Sequence, residues 1–450
     1  MPASGPSRSV ELDQPPTTER STTGLGNRPH PIADALTVAD SIAAALTHPR
    51  TVSAARKESS RSWPQALADG AAGIALLHIE RAHCGRGGWD AAHRWLAAAS
   101  SDTLSAAANA SLYFGAPAVA FAVNAASAPG ASGRYQATMR RLDEAVLALT
   151  RSRAAAAHAR IDRGDAPLMR EFDLVSGLAG LGAYHLRRHP DHPITLEILH
   201  YLTRLTEPLP GRDDLPPWWT PVAPTGDPSP DYPHGHGNLG VSHGIGSVLA
   251  LLSLAVLEDL PVPGSRDAIH RLCTWTDTWL QNASTAPWWP GYVTVDQAPA
   301  RHPGAHPRQR IPLPGSLRPR PSWCYGIGGT ARAQQLAALA LADTTRQRTA
   351  ETAMLSTLRD PVQVDRLTET GLCHGLAGLL QTAWRMAAQA RTPELAAEIP
   401  LLAARLIARP HDPLADPSLL DGAAGIALAL HTVGTGISPA TGWDAVLTLA

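Results

Sequence analysis

The segment DGAAGIALA occupies residues 421–429, and a nearly identical segment, DGAAGIALL, occupies residues 69–77. Each consists of a glycine, small residues with a second glycine, and the start of an apolar helical run. Further copies, one of them degraded, begin at Gly115, Gly177, Gly244, Gly326 and Gly375. Seven copies of one block indicate a repeat architecture rather than a series of unrelated domains.

Alanine- and leucine-rich stretches with helical spacing lie between the copies, as at residues 31–47 and 138–157. Each repeat then supplies an inner helix, opened by the glycine motif, and an outer helix. A helix pair cannot bury its own apolar face, whereas seven pairs closed into a ring can. The sequence therefore predicts an all-α fold, a seven-fold double-layer α/α toroid (α/α barrel) over residues 31–450. An open helical solenoid is the alternative, and the similarity of the first and last copies favours closure.

Composition restricts the classes of partner. The formal net charge is −1, which gives no reason to expect binding to nucleic acid or to an anionic membrane surface. No run of about 18 apolar residues occurs, so no integral membrane segment is predicted. Residues 1–30 are rich in Pro, Ser, Thr and Gly and predict a disordered leader, not a signal peptide. Four cysteines are too few for a disulfide framework, and we expect a cytoplasmic protein.

Two spacings between copies are long and rich in proline, at residues 209–237 and 287–320. Proline excludes regular helix, so these segments are predicted to be long loops that can include short strands. Loops of this length in a compact domain are usually functional or disordered, and both lead directly into glycine copies. We interpret them as walls of a substrate cleft. Their tryptophan pairs, at 218–219 and 288–289, either line that cleft or hold the loops in place.

Reactive side chains cluster in the fourth, fifth and sixth copies. Cys324 and Cys373 stand two residues before their glycines, and His374 stands one residue before its own. If these glycines begin equivalent helices, the three side chains gather at one end of the fold. Two thiolates and an imidazole that converge make a three-ligand Zn²⁺ site with an open fourth position, because thiolates favour zinc over magnesium or calcium. The alternative is that both cysteines are merely buried.

His243 shares the position of His374 but has no cysteine beside it. As a fourth ligand it would close the metal site and make it structural. As an acid/base it would face the metal, since a histidine titrates near neutral pH, and we favour this role. Cys84 and Cys273 lie outside the register of the copies and are expected to be packed or surface cysteines.

Three further side chains reach the same end of the predicted ring. Asp173 stands four residues before Gly177, and Arg320 stands six before Gly326. Each is a candidate for the site, with a helix cap or a solvated loop charge as the alternative. Tyr325 is also a candidate, and its alternative is to cover the edge of the core.

These motifs closely resemble those of the LanC-like lanthionine cyclases, the zinc enzymes that close thioether rings in lanthipeptide biosynthesis. The resemblance extends from about Trp63 to the C-terminus. It depends on four segments, DLVSG at 173–177, NLGVSHG at 238–244, WCYG at 323–326 and CHG at 373–375. It implies a seven-fold α/α toroid, in agreement with the number of glycine copies.

The resemblance also implies a metal site and a reaction. Cys324, Cys373 and His374 match the zinc ligands of the family. Zinc would bind a cysteine thiol of the peptide substrate and lower its pKa. The thiolate would then add to Cβ of a dehydroalanine or dehydrobutyrine in the same peptide. The expected activity is this intramolecular Michael addition, which forms the carbon–sulfur bond of (methyl)lanthionine.

The remaining candidates match catalytic residues of the family. His243 matches its acid/base histidine, which would deliver a proton to Cα, and Asp173 would orient that imidazole. Arg320 and Tyr325 match the arginine and the tyrosine that flank the first zinc cysteine. Arg320 suits the negative charge of an enolate, and Tyr325 could position the enolate or a water molecule.

The expected partner is a dehydrated lanthipeptide precursor peptide, and a lanthipeptide dehydratase is a second candidate. Two other classes of function stay open. A zinc-dependent thiol alkyltransferase, similar to a protein prenyltransferase subunit, would usually add a carboxylate ligand and need more aromatic residues than 5%. A non-catalytic scaffold that holds a precursor peptide would carry a structural zinc with a fourth protein ligand, such as His243.

Overall fold

The computed structural model describes residues 31–55, 63–127, 133, 135–209, 215–282, 284–297 and 310–450. The predicted leader, residues 1–30, lies outside these ranges. Pro31–Ala450 form one compact unit. Among the helices of the described ranges, none has both the length and the apolar character that a membrane span requires.

The regular structure of the described chain is almost entirely helical, and loops connect the helices. Its α-helices are α1 (Pro31–Ala45), α2 (Pro49–Ala55), α3 (Ala71–His83), α4 (Trp89–Ala99), α5 (Ala116–Ala126), α6 (Gln136–Asp162), α7 (Met169–Phe172), α8 (Leu178–Arg188), α9 (Pro193–Arg204), α10 (Ile245–Leu257), α11 (Ser265–Thr278), α12 (Ile327–Leu341), α13 (Thr344–Leu358), α14 (Pro361–Asp365), α15 (Leu376–Ala388), α16 (Glu394–Ile407) and α17 (Ala423–Thr435). Two short strands, β1 (Gly237–Asn238) and β2 (Tyr292–Val293), and 3₁₀ turns at Val295–Gln297, Gly315–Leu317 and Trp443–Leu447 complete the described elements.

Seven of these helices form a closed inner ring, and each begins directly after the first glycine of one sequence copy. They are α3, α5, α8, α10, α12, α15 and α17. Each contacts the next one, and α17 contacts α3. The predicted seven-fold α/α toroid is therefore confirmed, and the open solenoid is excluded. We call the end of the ring at which the inner helices begin the rim.

A second layer of seven helices packs around the ring. The outer helices are α4, α6, α9, α11, α13, α16 and α1, and most of them contact two neighbouring inner helices. Inner helices are enclosed from both sides, and α10, the most apolar of them, is buried along nearly its whole length. The outer helix α6 instead buries residues three or four positions apart, such as Met139, Leu142 and Val146. The first helix, α1, packs on the last, α17, so the repeats close across the two ends of the described chain.

The glycines that start the inner helices are required by close approach of the backbone. Gly326 is the residue before α12, and a Cβ there would collide with the carbonyl oxygen of Arg320. Gly329, one turn later, lies against the carbonyl oxygen of Trp323 in the same way. The tight loop that precedes α12 therefore tolerates only glycine at these two positions.

Backbone hydrogen bonds join neighbouring copies along the rim. The N–H of Cys373 donates to the carbonyl oxygen of Leu420 at 2.9 Å, and the N–H of Val241 donates to that of Cys324 at 2.9 Å. In the described part of the chain, bonds of this kind connect six of the seven neighbouring pairs. Equivalent positions of successive copies consequently lie side by side around the rim.

The C-terminal residues 440–449 fill the middle of the ring. Asp444 is completely buried and accepts hydrogen bonds from Arg385 of α15 at 2.6 and 2.7 Å. Arg332 of α12 donates to the carbonyl oxygen of Leu449 at 3.1 and 2.8 Å. The same segment also bonds to α3 and to α8. Inner helices from several sides of the ring thus hold this segment at its axis.

The described parts of the two proline-rich segments are loops with minimal strand content, as predicted. Gly237 of β1 pairs with Val293 of β2, so the described parts of the two loops join each other. The tryptophans of both pairs are at most 4% exposed and hold the loops against the core.

Candidate active site

Cys324, Cys373 and His374 lie together at the rim. Their sulfur and imidazole nitrogen donor atoms are within 4.8 Å of one another. Cys324 is buried, whereas Cys373 and His374 are partly exposed. The equal register of the fifth and sixth copies places these side chains next to each other, and the cluster is accessible from the rim.

The two thiols cannot readily ionise together without a cation. Hydrogen bonding from Cys373, and secondarily from His374, lowers the pKa of Cys324 to about 4 although burial opposes this shift. The pKa of Cys373 is raised, first by its hydrogen bond to Cys324 and then by burial. A dication beside both sulfur atoms would remove their mutual repulsion. Two sulfurs and one imidazole nitrogen fit Zn²⁺, and they would leave one coordination position for another ligand.

Two polar neighbours support this cluster. The Oγ atom of Ser322 lies 3.5 Å from the Sγ atom of Cys324. Asp421 stands one residue before the glycine of the seventh copy, as His374 does in the sixth. Its Oδ1 atom lies 3.6 Å from Nε2 of His374. The pKa of His374 is raised, mainly by its hydrogen bond to Cys324 and further by the charge of Asp421. A carboxylate in this position can hold the orientation of a metal-binding imidazole.

His243 and Asp173 form a hydrogen-bonded pair nearby. The Nδ1–H of His243 donates to Oδ2 of Asp173 at 2.6 Å, and the carboxylate is only 1% exposed. The other oxygen, Oδ1, accepts the backbone N–H of Ser176 at 2.7 Å. Arg153 donates to the carbonyl oxygen of Ser176 at 2.5 Å and thereby fixes the loop. The imidazole side chain is 38% exposed, so its Nε2 edge is free to face a substrate.

Tyr325 connects this pair to the cysteine cluster. It directly follows Cys324, and its ring centroid is 6.5 Å from that of His243. The Nδ2 amide of Asn238 donates to the tyrosine Oη at 3.3 Å. The ring lies so close to Gly240 that a Cβ there would be 2.7 Å from Cδ1. Burial raises the pKa of Tyr325 to about 12, so its hydroxyl stays protonated and can donate a hydrogen bond.

Arg320 is paired with an acidic side chain near the cysteine cluster. It forms an ion pair with Glu369, at 3.1 Å between Nη1 and Oε2, and both side chains are partly exposed. Its positive charge acts on Cys373 and on His374, and in each case it favours the deprotonated form. Arg320 therefore contributes positive potential to the cysteine cluster.

A cavity of about 260 Å³ opens beside His243 and Asp173. The described part of the first proline-rich loop forms its other wall, with Val222, Thr225 and Asp227. His236 of that loop is buried, and its Nδ1–H donates to the carbonyl oxygen of Val222 at 2.7 Å. The loop therefore lies next to the His243–Asp173 pair, where a cleft wall was expected.

The sequence matches the family model described as lanthionine synthetase C-like protein over residues 61–448. The chain belongs to this family. Its structure is similar to that of nisin cyclase, with a TM-score of 0.68 and 19% sequence identity, over 86% of this chain and 93% of the nisin cyclase chain. No curated protein gives a significant sequence match.

For this lanthionine synthetase C-like chain, the predicted ligands Cys324, Cys373 and His374 do converge. His243 is paired with Asp173 and is not among the donor atoms of that cluster. The roles of these residues stay predictions.

Three residues that contact the candidate site residues were not predicted from the sequence. Glu369 binds Arg320, Asn238 binds Tyr325, and Asp421 lies beside His374. The signal for Asp421 was present, because it occupies the same register position as His374. The side-chain partners Glu369 and Asn238 have no such signal, since their contacts come from loop packing.

Proposed function

We propose that this protein is a zinc-dependent lanthionine cyclase, which closes thioether rings in a dehydrated lanthipeptide precursor. One observation carries the proposal, namely that Cys324, Cys373 and His374 converge at a rim that also holds the His243–Asp173 pair. Membership of the lanthionine synthetase C-like family and the fold shared with nisin cyclase support it. We further propose that the enzyme acts in the cytoplasm.

The metal would be held by Cys324, Cys373 and His374. A zinc ion bound there would supply the positive charge that lowers the pKa of a substrate cysteine and makes its thiolate available at neutral pH. The two protein thiolates keep the local charge from becoming strongly positive, so a substrate sulfur stays electron-rich. Asp421, whose Oδ1 lies 3.6 Å from Nε2 of His374, would help to orient this imidazole by its negative charge.

The chemical step joins the substrate sulfur to Cβ of a dehydroamino acid. The sulfur electron pair forms the C–S bond, and the π electrons of the Cα=Cβ bond move toward the adjacent carbonyl, which gives an enolate. Negative charge that develops on the enolate oxygen is stabilised by the positive charge of Arg320. The protonated hydroxyl of Tyr325 is a further donor to this oxygen.

The enolate then takes a proton at Cα. The exposed Nε2–H of a protonated His243 supplies it, while Asp173 holds the ring through Nδ1 and stabilises the imidazolium. The proton released from the substrate thiol restores the charge on His243, so the reaction has no net proton change. Because Asp173 is also bound by the backbone of Ser176, the imidazole is oriented before the substrate arrives.

The alkyltransferase alternative calls for a carboxylate ligand. Among the described residues, no carboxylate oxygen joins the donor atoms that converge at Cys324, Cys373 and His374. An activity assay distinguishes a cyclase from a non-catalytic scaffold. The dehydrated precursor peptide is incubated with the protein, treated with a thiol-alkylating reagent and analysed by mass spectrometry. A cyclase removes free thiols without any change in peptide mass, and an unchanged thiol count would overturn the proposal.

A further inference from the structure

A second group of metal-binding side chains lies away from the rim, toward the C-terminal ends of the inner helices. Glu80 is in the last turns of α3, Cys84 directly follows this helix, and His431 is on α17. One donor atom from each of the three side chains lies within 4.8 Å of the others. Sulfur, nitrogen and oxygen donors thus converge on one point.

Burial makes this group unusual. Glu80 is 2% exposed and His431 is 1% exposed, so both polar side chains are removed from solvent. The nearest arginines along the chain, Arg81 and Arg86, are both paired with Asp40. A buried carboxylate is costly unless a cation or several hydrogen bonds compensate its charge.

Hydrogen bonds satisfy the carboxylate but not the imidazole. Glu80 accepts the backbone N–H of Ala440 at 2.8 Å and that of Thr441 at 2.9 Å, and the thiol of Cys84 lies 3.6 Å from its Oε1. Nε2 of His431 has no hydrogen-bond partner although it is buried. An unpartnered buried nitrogen normally costs free energy. It belongs to an imidazole that has a nitrogen within 4.8 Å of a carboxylate oxygen and of a thiol sulfur.

We propose that Glu80, Cys84 and His431 form a second Zn²⁺ site, separate from the proposed catalytic one. Thiolate, imidazole and carboxylate are the three ligand types that zinc accepts in proteins, and the mixed set disfavours magnesium and calcium. Binding would release the thiol proton of Cys84 and give a ligand to the imidazole of His431. Cys84 is partly exposed and leaves access for the ion and for a water as fourth ligand.

The position of the site gives it a structural role. It joins α3 to α17, the first and the last inner helices, at the place where the ring closes. Glu80 also holds residues 440 and 441, from which the chain enters the axis of the ring. A metal ion there would stabilise ring closure and the seating of the C-terminal segment.

The test compares zinc content and thermal stability in four full-length proteins. These are the wild type, Cys84→Ala, the double variant Cys324→Ala/Cys373→Ala, and the triple variant that combines them. After equilibration with zinc and removal of the free ion, elemental analysis is expected to give two, one, one and no equivalents per chain. Cys273→Ala changes a buried cysteine outside both groups and is expected to retain two equivalents. His431→Gln removes the nitrogen donor and is expected to match Cys84→Ala.

Thermal unfolding gives a readout that does not depend on cyclase activity. Zinc should raise the Tm of the double variant by at least about 2 °C and leave that of the triple variant unchanged. The proposal fails if Cys84→Ala binds as much zinc as the wild type, or if the double variant neither binds zinc nor responds to it. If only the proposed catalytic site fails to bind zinc, the wild type and the double variant will have equal zinc content, which distinguishes that failure from a failure of the second site.

Discussion

The backbone N–H of Cys324 donates a hydrogen bond of 3.1 Å to the carbonyl oxygen of Cys373. This bond is one of the links that tie neighbouring copies together along the rim, and it fixes the fifth and sixth copies in register. Because each cysteine stands two residues before its glycine, equal register places the two sulfur atoms side by side. The candidate metal centre is thus a consequence of the repeat geometry, into which ligand side chains have been substituted.

Substitution of Cys373 should remove metal and activity together. Cys373→Ala takes away one of two sulfur donors, and we expect it to lower the zinc content by one equivalent per chain and to abolish ring closure. Elemental analysis and mass spectrometry of the dehydrated peptide on the same preparation provide the measurement. Cys273→Ala serves as the control and should retain both properties. Unchanged zinc content in Cys373→Ala would refute the ligand assignment.

The C-terminal segment should contribute strongly to stability through Asp444. This carboxylate is fully buried against Arg385, and Asp444→Ala would leave the guanidinium without its partner. Removing one member of a buried pair costs about 3–5 kcal/mol, and we expect the free energy of unfolding in urea to fall by this amount. Asp365→Ala is the matched control, since Asp365 pairs with Arg405 at 3.0 Å on the surface. A loss of about 1 kcal/mol or less is expected there. Equal losses would contradict the proposed seating of the segment.

Acid should destabilise the protein before its carboxylates titrate. Burial lowers the pKa of His78 to about 4 and that of His185 to about 3, against 6.5 for an exposed histidine. The unfolded chain therefore binds more protons below about pH 6.5, and the free energy of unfolding falls as the pH decreases toward 4. Tm measured at about pH 7.5 and at about pH 5 should show this decrease.

A histidine variant identifies the source of that pH dependence. Nε2–H of His78 donates to the carbonyl oxygen of Leu46 at 2.9 Å, a bond that the amide of His78→Gln can replace. The decrease in Tm between the two pH values should be smaller in this variant. His270→Gln, at an exposed position of α11, should behave like the wild type. If both variants lose stability in acid as steeply as the wild type, buried His78 is not responsible.

The leader should be dispensable. The composition of residues 1–30, rich in Pro, Ser, Thr and Gly, predicts a leader without a folded core. We therefore expect a protein that begins at Pro31 to cyclise the peptide at the rate of the full chain. Rates of ring closure for the two proteins provide the comparison. A marked loss in the truncated protein would assign the leader a part in substrate binding.

The architecture was predictable because it repeats. Seven glycine copies gave the number of inner helices, and the requirement for glycine at positions such as Gly326 is steric and therefore visible in one sequence. The same register brought Cys324, Cys373 and His374 together without a structure. Equivalent positions in equivalent repeats are the part of a site that a single sequence can reveal.

Contacts outside the repeat were not predictable. The segment around Asp444 does not belong to a glycine copy. Its position at the axis depends on individual polar side chains of inner helices, such as Arg385 and Gln381 of α15, which donate to Asp444. Cys84 was expected to be an ordinary cysteine because it lies outside the register, yet the closure of the ring brings it to His431. Such neighbours depend on how the first and last helices meet, which local sequence does not encode.

The last prediction separates proton transfer from metal binding. His243 donates Nδ1–H to Asp173 and is absent from the converging donor atoms, so His243→Asn should retain the full zinc content. General acid–base groups contribute about 10² to 10⁴-fold, and ring closure should slow by a factor in this range. Asp173→Asn should lose less, because the imidazole remains while only its orientation and the stabilisation of its charged form are weakened. Zinc content and rate must come from one preparation. If His243→Asn empties the metal site, His243 is a ligand, the open coordination position disappears, and the structural reading of the zinc replaces the catalytic one.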